Sequence, residues 1–155
     1  MTATPPMPGG LIDGPRHLFA VRAYYEDTDL SGIVYHANYL RWFERARSDL
    51  LRLLAIDQRA AVEAGAGAYA VADLRIRYAR PARLDDTVVI ETRCEELGAA
   101  SVRIRQRAVR HEDGRDGELI AEQDVRVGFI DPAGRPRRQP AEWRAAFDQF
   151  AQGTR

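Results

Sequence analysis

The chain has 155 residues, 23 cationic against 23 acidic side chains for a formal net charge of zero, and one cysteine. That length suits a single domain with its own core, and 45% hydrophobic residues argue against wholesale disorder. Balanced charge removes the electrostatic case for nucleic acid, Cys94 alone excludes an internal disulfide, and no apolar run reaches the roughly 18–20 residues of a membrane span.

Residues 1–16 are rich in Pro and Gly and lack a charged-then-apolar leader, so they read as a flexible tail and a cytoplasmic location is expected. Residues 17–25 alternate in strand fashion, with Phe19, Val21, Ala23 and Tyr25 on one face. A polar turn covers residues 26–32. From about His36 the period becomes helical: Tyr39, Phe43, Ala46, Leu50 and then Leu53 or Leu54 recur at spacings of four and three, opposite Arg41, Arg45, Ser48 and Arg52. Leu40, Trp42 and Leu51 widen the apolar stripe, so this helix is expected to be buried on most sides against a curved sheet.

Residues 55–68 read as a connector with a short helix before Gly65. Strand-like runs follow at 69–78, 87–97, 101–111 and 118–130, separated by turn signals at Arg80-Pro81, residues 84–86, Gly98 and residues 112–117. Gly98 marks a hairpin. After the break at residues 135–140, Trp143, Phe147 and Phe150 fit a short amphipathic helix. The organisation is therefore a tail at 1–16, a domain at 17–135 and a C-terminal extension at 136–155. The fold class is α+β, one long central helix wrapped by a five-stranded antiparallel sheet. Such a layer leaves a sheet face or edge uncovered, so a homo-oligomer, dimer or tetramer, is expected.

Most catalytic signatures are absent. Ser31 has Asp29 where a nucleophile elbow needs glycine, and there is no metalloprotease, P-loop or dinucleotide fingerprint. His17, His36 and His111 have no metal-ligand spacing, so neither a metal nor another cofactor is expected. All 23 cations are arginines, so a lysine Schiff base is unavailable. Cys94 shares a strand face with Val88, Ile90 and Thr92 and reads as a buried structural thiol. What remains is the run 24–39, where Glu26, Asp27 and Asp29 crowd a strand-to-helix loop ahead of Gly32 and a helix start near His36. A helix N-terminus offers free N–H groups for an oxyanion, and a loop carboxylate can act as base or nucleophile. The same acids serve equally well as caps, and His36 as a capping or core histidine. Spacing alone leaves both open.

The strings YEDTD (25–29), GIVYHANY (32–39), FERAR (43–47) and YARPARLDD (78–86) resemble the hotdog-fold acyl-CoA thioesterases. The nearest branch is the Tol–Pal-associated (YbgC-type) one, related to 4-hydroxybenzoyl-CoA thioesterase. The resemblance runs from about residue 18 to 130. It implies hydrolysis of an acyl-CoA thioester to free acid and CoA, with Asp29 as catalytic carboxylate and the His36 backbone N–H as oxyanion donor, its imidazole lining the site. Gly32, Tyr35, Asn38, Tyr39, Ser101 and Arg103 are the expected substrate contacts. Glu26 and Asp27 are expected to shape the loop, and Glu44 to form a helix-surface or interface ion pair with Arg41 or Arg47, although some other hotdog enzymes place a catalytic Glu on this helix. Arg103, Arg105 and Arg107, with Arg75 and Arg77, form either a solvated face or a guanidinium rim for CoA phosphates. Relatives often carry basic residues at the hairpin turn that Gly98, Ala99 and Ala100 occupy here. That departure keeps an acyl carrier protein (ACP) donor in play, beside a non-catalytic acyl-thioester-binding scaffold.

Overall fold

The computed structural model describes residues 2–154. Its strands are β1 (Leu11–Asp13), β2 (Arg16–Arg22), β3 (Ala68–Tyr78), β4 (Thr87–Leu97), β5 (Ser101–Glu112) and β6 (Arg115–Ile130). The helices are α1 (Asn38–Leu53), α2 (Gln58–Glu63) and α3 (Ala141–Gln152). The sheet is antiparallel throughout, in the order β1-β2-β4-β5-β6-β3, so it has six strands rather than the five expected from sequence.

The extra strand corrects the reading of residues 1–16 as a tail. Leu11–Asp13 pairs with Arg16–Leu18, and the Gly10 N–H donates to Asp49 Oδ2 on α1 at 2.8 Å. Gly10 suits this close approach, because a Cβ there would lie 2.2 Å from the Leu18 carbonyl oxygen. Composition suggested mobility, but these ties are long-range and no local pattern carries them.

α1 crosses the concave face of the sheet. Its buried residues Tyr39, Trp42, Phe43 and Ala46 pack with Val88, Ile90, Ala108 and Ile120. Farther along, Leu50 and Leu51 join Ile104, Val125, Val127 and two aromatic anchors of α3, Phe147 and Phe150. Burial of each such side chain contributes about 1.5–3 kcal/mol. Leu40, expected in the apolar stripe, lies exposed. The predicted hairpin is closed at Gly98, whose N–H donates to the Ser101 carbonyl at 2.8 Å.

Strand alternation then sorts the arginines. Even positions of β5 (Val102, Ile104, Gln106, Ala108) are buried beneath α1, while Arg103, Arg105 and Arg107 sit on the opposite face. There Arg103 pairs with Asp124 at 3.4 Å, Arg105 with Glu122 at 3.4 Å and Arg77 with Glu122 at 2.9 Å. Such exposed pairs are individually worth about 0–1 kcal/mol. Cys94 is half-buried against the second core cluster, and burial pushes its thiol up to about 11, which makes it a poor nucleophile.

Candidate active site

The loop between β2 and α1 is held by its second acid. Asp27 is buried; its Oδ2 accepts the Tyr24 N–H at 2.8 Å and its carbonyl accepts the Tyr35 N–H at 2.9 Å. Both ends of the loop are thereby tied to one residue, the shaping role expected for it. Between them Thr28 bridges Val34, and the tip is closed by Asp29 N–H to the Ile33 carbonyl and Gly32 N–H to the Asp29 carbonyl, both 3.0 Å. Gly32 sits at φ +80°, a left-handed conformation that costs other residues strain.

This tip presents the Asp29 side chain to solvent. Its Oδ1 accepts the Ser31 N–H at 2.8 Å and the Ser31 hydroxyl at 2.5 Å, while Oδ2 has no partner among the described residues. The Ser31 hydroxyl and then its N–H hold the Asp29 carboxyl below its usual range, and nearby His36 adds to the effect. Asp29 is therefore ionised at neutral pH, with one oxygen available.

α1 begins at Asn38 without a side-chain cap. The Asn38 N–H is taken by the Tyr35 carbonyl and that of Leu40 by the Ala37 carbonyl, but among the described residues no backbone carbonyl accepts the His36 N–H. Tyr78, at the end of β3, donates its hydroxyl to the His36 carbonyl at 2.7 Å and fixes that peptide. The imidazole lies between the Tyr35 ring, 4.5 Å away by centroids, and the Tyr78 ring at 6.4 Å. Asp29, His36, Val34, Tyr39, Tyr78 and Pro81 together border a cleft of about 360 Å³. It combines an ionised carboxylate and a free helix-start N–H with largely apolar walls. That set can polarise a carbonyl and deliver an attacking oxygen to it.

The other expected contacts divide. Tyr39 is in the cleft wall, its oxygen accepting the Ala82 N–H at 3.2 Å. Gly32 lies at the loop tip, and Tyr35 is exposed with its ring on His36. Asn38 is buried, with its Nδ2 lacking a partner. Ser101 and Arg103 are not brought to this cleft within the chain. Ser101 closes the β4–β5 turn and gives its carbonyl to Gln139 Nε2 at 3.3 Å, and Arg103 is on the sheet face turned away from α1. Glu44 takes the Ser48 hydroxyl at 3.0 Å instead of forming the expected arginine pair. Sequence reasoning did not assign Tyr78 or Pro81 to the site, although the string 78–86 contained both. Among the described residues no metal-binding cluster of His, Cys, Asp or Glu occurs, and no helix is long and apolar enough to cross a membrane.

Residues 31–117 match the thioesterase superfamily. The chain is 39% identical over 130 residues to the acyl-CoA thioesterase YbgC of Haemophilus influenzae, covering 83% of this chain and 92% of that protein. A probable thioesterase from Bartonella henselae superposes with a TM-score of 0.73 at 34% identity, over 81% of this chain and 99% of that one. A 4-hydroxybenzoyl-CoA thioesterase variant in complex with 4-hydroxybenzoyl-CoA superposes with a TM-score of 0.77 over 85% and 98% of the two chains, and at 24% identity it speaks for the fold alone. The fold is the hotdog arrangement.

Proposed function

The chain belongs to the thioesterase superfamily, and from that premise we propose that it hydrolyses acyl-CoA thioesters in the Asp29–His36 cleft. The observation that supports this most is the pairing of a free Asp29 Oδ2 with an unclaimed His36 N–H across one cleft. In this reading the thioester oxygen accepts the His36 N–H. Asp29 either takes a proton from an attacking water or attacks the carbonyl carbon itself through Oδ2. The tetrahedral intermediate collapses with cleavage of the C–S bond, and the thiolate leaves with little need of an acid. Attack by water gives the carboxylic acid directly, whereas attack by Asp29 gives a mixed anhydride that water then hydrolyses to the acid and the restored Asp29 carboxylate. On either route the products are a carboxylic acid and CoA thiol. Positioned donors and bases of this kind supply about 10²–10³ and 10²–10⁴ in rate, respectively. Thiol release from acyl-CoAs of graded length plus benzoyl-CoA, beside acyl-ACPs, tests the proposal. Release from acyl-CoA is expected; release from acyl-ACP alone moves the donor to the carrier protein, and tight binding without release leaves a scaffold.

The active species in this reading is a homo-oligomer. β3 is a sheet edge of eleven residues, with Val71 49% and Leu74 40% exposed. Long edges with apolar side chains invite a further strand, and a second copy supplies one. Sedimentation equilibrium is expected to give a dimer or tetramer mass, and a monomer at micromolar concentration overturns it.

A further inference from the structure

The start of α1, beside the His36 N–H, lacks the device that usually holds a helix start. First-turn N–H groups have no intrahelical partners, and a side-chain cap commonly steadies them. Here the capping position is Ala37, which makes no side-chain bond. Two other bonds stand in for the cap. Because a peptide unit is planar, the Tyr35 carbonyl and the His36 N–H move as one plate. The Asn38 N–H holds that carbonyl at 2.9 Å, which fixes one edge of the plate and leaves it free to pivot about the bond. The next plate carries the His36 carbonyl, and Tyr78 donates its hydroxyl to it at 2.7 Å. With the plates on both sides held, the dihedral angles of His36 are set, and so is the direction of its N–H.

Tyr78 is itself firmly anchored. It ends β3 opposite Ala121, and the N–H groups of Ala79 and Arg80 both donate to the Ile120 carbonyl, at 2.8 and 3.0 Å. Its ring meets that of Tyr39 edge-on at 5.6 Å by centroids. Partial burial holds its phenol above the usual tyrosine value, so the hydroxyl keeps its proton and remains a donor at neutral pH.

We propose that Tyr78 is a positioning residue for hydrolysis: through the His36 carbonyl it keeps the His36 N–H aimed at the thioester oxygen, without touching a reacting atom. This role rests on the thioesterase reading and adds to it a residue from outside the 24–39 loop. The single hydroxyl hydrogen of Tyr78 is already on the His36 carbonyl, so it does not also reach the thioester. Nor does that bond polarise the His36 N–H, which belongs to the other plate. The effect is geometric. A donor swung off line loses most where charge on the oxygen is largest, in the transition state, and least in binding the uncharged thioester. The loss therefore falls on kcat.

Tyr78→Phe tests this, because it keeps the ring against Tyr39 and removes only the hydroxyl. Thiol release from hexanoyl-CoA and benzoyl-CoA gives kcat and KM for the variant beside wild type. In parallel, each protein is titrated with a hexanoyl-CoA analogue that has a methylene in place of the thioester sulfur and carbon-13 at its ketone. The ketone resonance moves downfield when a donor polarises the carbonyl. The variant is expected to lose about tenfold in kcat with KM within about twofold of wild type, less than the roughly 10²–10³ for deleting a donor outright. Its bound ketone is expected to resonate between the wild-type and free positions. A bound resonance matching wild type overturns the role of Tyr78 whatever kcat does, and so does a loss confined to KM, which makes the phenol a wall contact. Wild type that releases no thiol and leaves the ketone at its free position overturns the thioesterase reading itself, and this role with it.

Discussion

Asp29→Asn is expected to lower thioester turnover by at least about 10², read as thiol release at saturating substrate. The amide oxygen can still accept the Ser31 N–H and hydroxyl that hold Asp29 Oδ1, so the loop tip should survive the exchange. What the amide cannot do is accept a proton or form an acyl bond through the second oxygen. Residual activity is expected, since the His36 N–H remains to stabilise the oxyanion. A loss below tenfold removes Asp29 from the mechanism and directs attention to Glu44, the other carboxylate on the helix side. The pH profile gives an independent check. The Ser31 hydrogen bonds depress the Asp29 pKa, so the carboxylate is already ionised well above pH 4 and protonates only as pH falls below that ordinary range. Asp29 should therefore contribute no acidic limb between about pH 5 and 8. A wild-type limb in that window that disappears in Asp29→Asn contradicts the depressed pKa.

The parts of this molecule that local periodicity encodes were legible in the sequence. Tyr39, Phe43, Ala46 and Leu50 announce α1 through their spacing; Gly98 announces the hairpin; Trp143, Phe147 and Phe150 announce α3. Asp29 and His36 could be placed together because only six residues of one loop separate them, and a contiguous motif needs no tertiary knowledge. Three kinds of information were hidden. Alternation showed that Arg103, Arg105 and Arg107 share a face, but which face meets the helix depends on register against β4 and β6. The role of Tyr78 depends on β3 ending beside the start of α1, a contact across 42 positions. β1 is three residues long and held by long-range bonds, so Pro- and Gly-rich composition gave it the signature of a tail. His17 shows the same limit: it continues the inward face of Phe19, Val21 and Ala23, yet only the fold reveals the carboxylate opposite it.

That carboxylate is Asp49, and Asp49→Ala is expected to destabilise the fold by about 3 kcal/mol, read as the urea midpoint. The Asp49 side chain is a three-way clamp. Oδ2 accepts from fully buried His17 Nε2 at 2.7 Å and from Gly10 N–H at 2.8 Å, and Oδ1 accepts from Arg52 at 2.7 Å. Because a carboxylate only accepts, the His17 hydrogen is on Nε2, and Nδ1 faces the interior without a partner. Truncation leaves the His17 and Gly10 donors stranded and frees β1 from α1. Burial pushes the His17 pKa down despite the opposing pull of Asp49. Burial also works to raise the Asp49 pKa, but the bonds from His17, Arg52 and Gly10 outweigh it and hold the group low. The pair is therefore neutral imidazole with ionised carboxylate. For a histidine with a depressed folded pKa, the native state binds fewer protons than the unfolded chain below about pH 6.5. Its contribution is whole above that pH and declines as pH falls toward the folded value. The Asp49 contribution persists to lower pH and is lost as pH falls below about 4. Wild type should consequently begin to lose stability as pH falls below about 6.5, and the step below about pH 4 should shrink in Asp49→Ala. The arm should also become accessible to proteolysis before residue 16 at neutral pH, since its tether to α1 is gone. A midpoint and cleavage pattern matching wild type would show that the strand pairing of β1 with β2 suffices to hold the arm, with the clamp adding nothing.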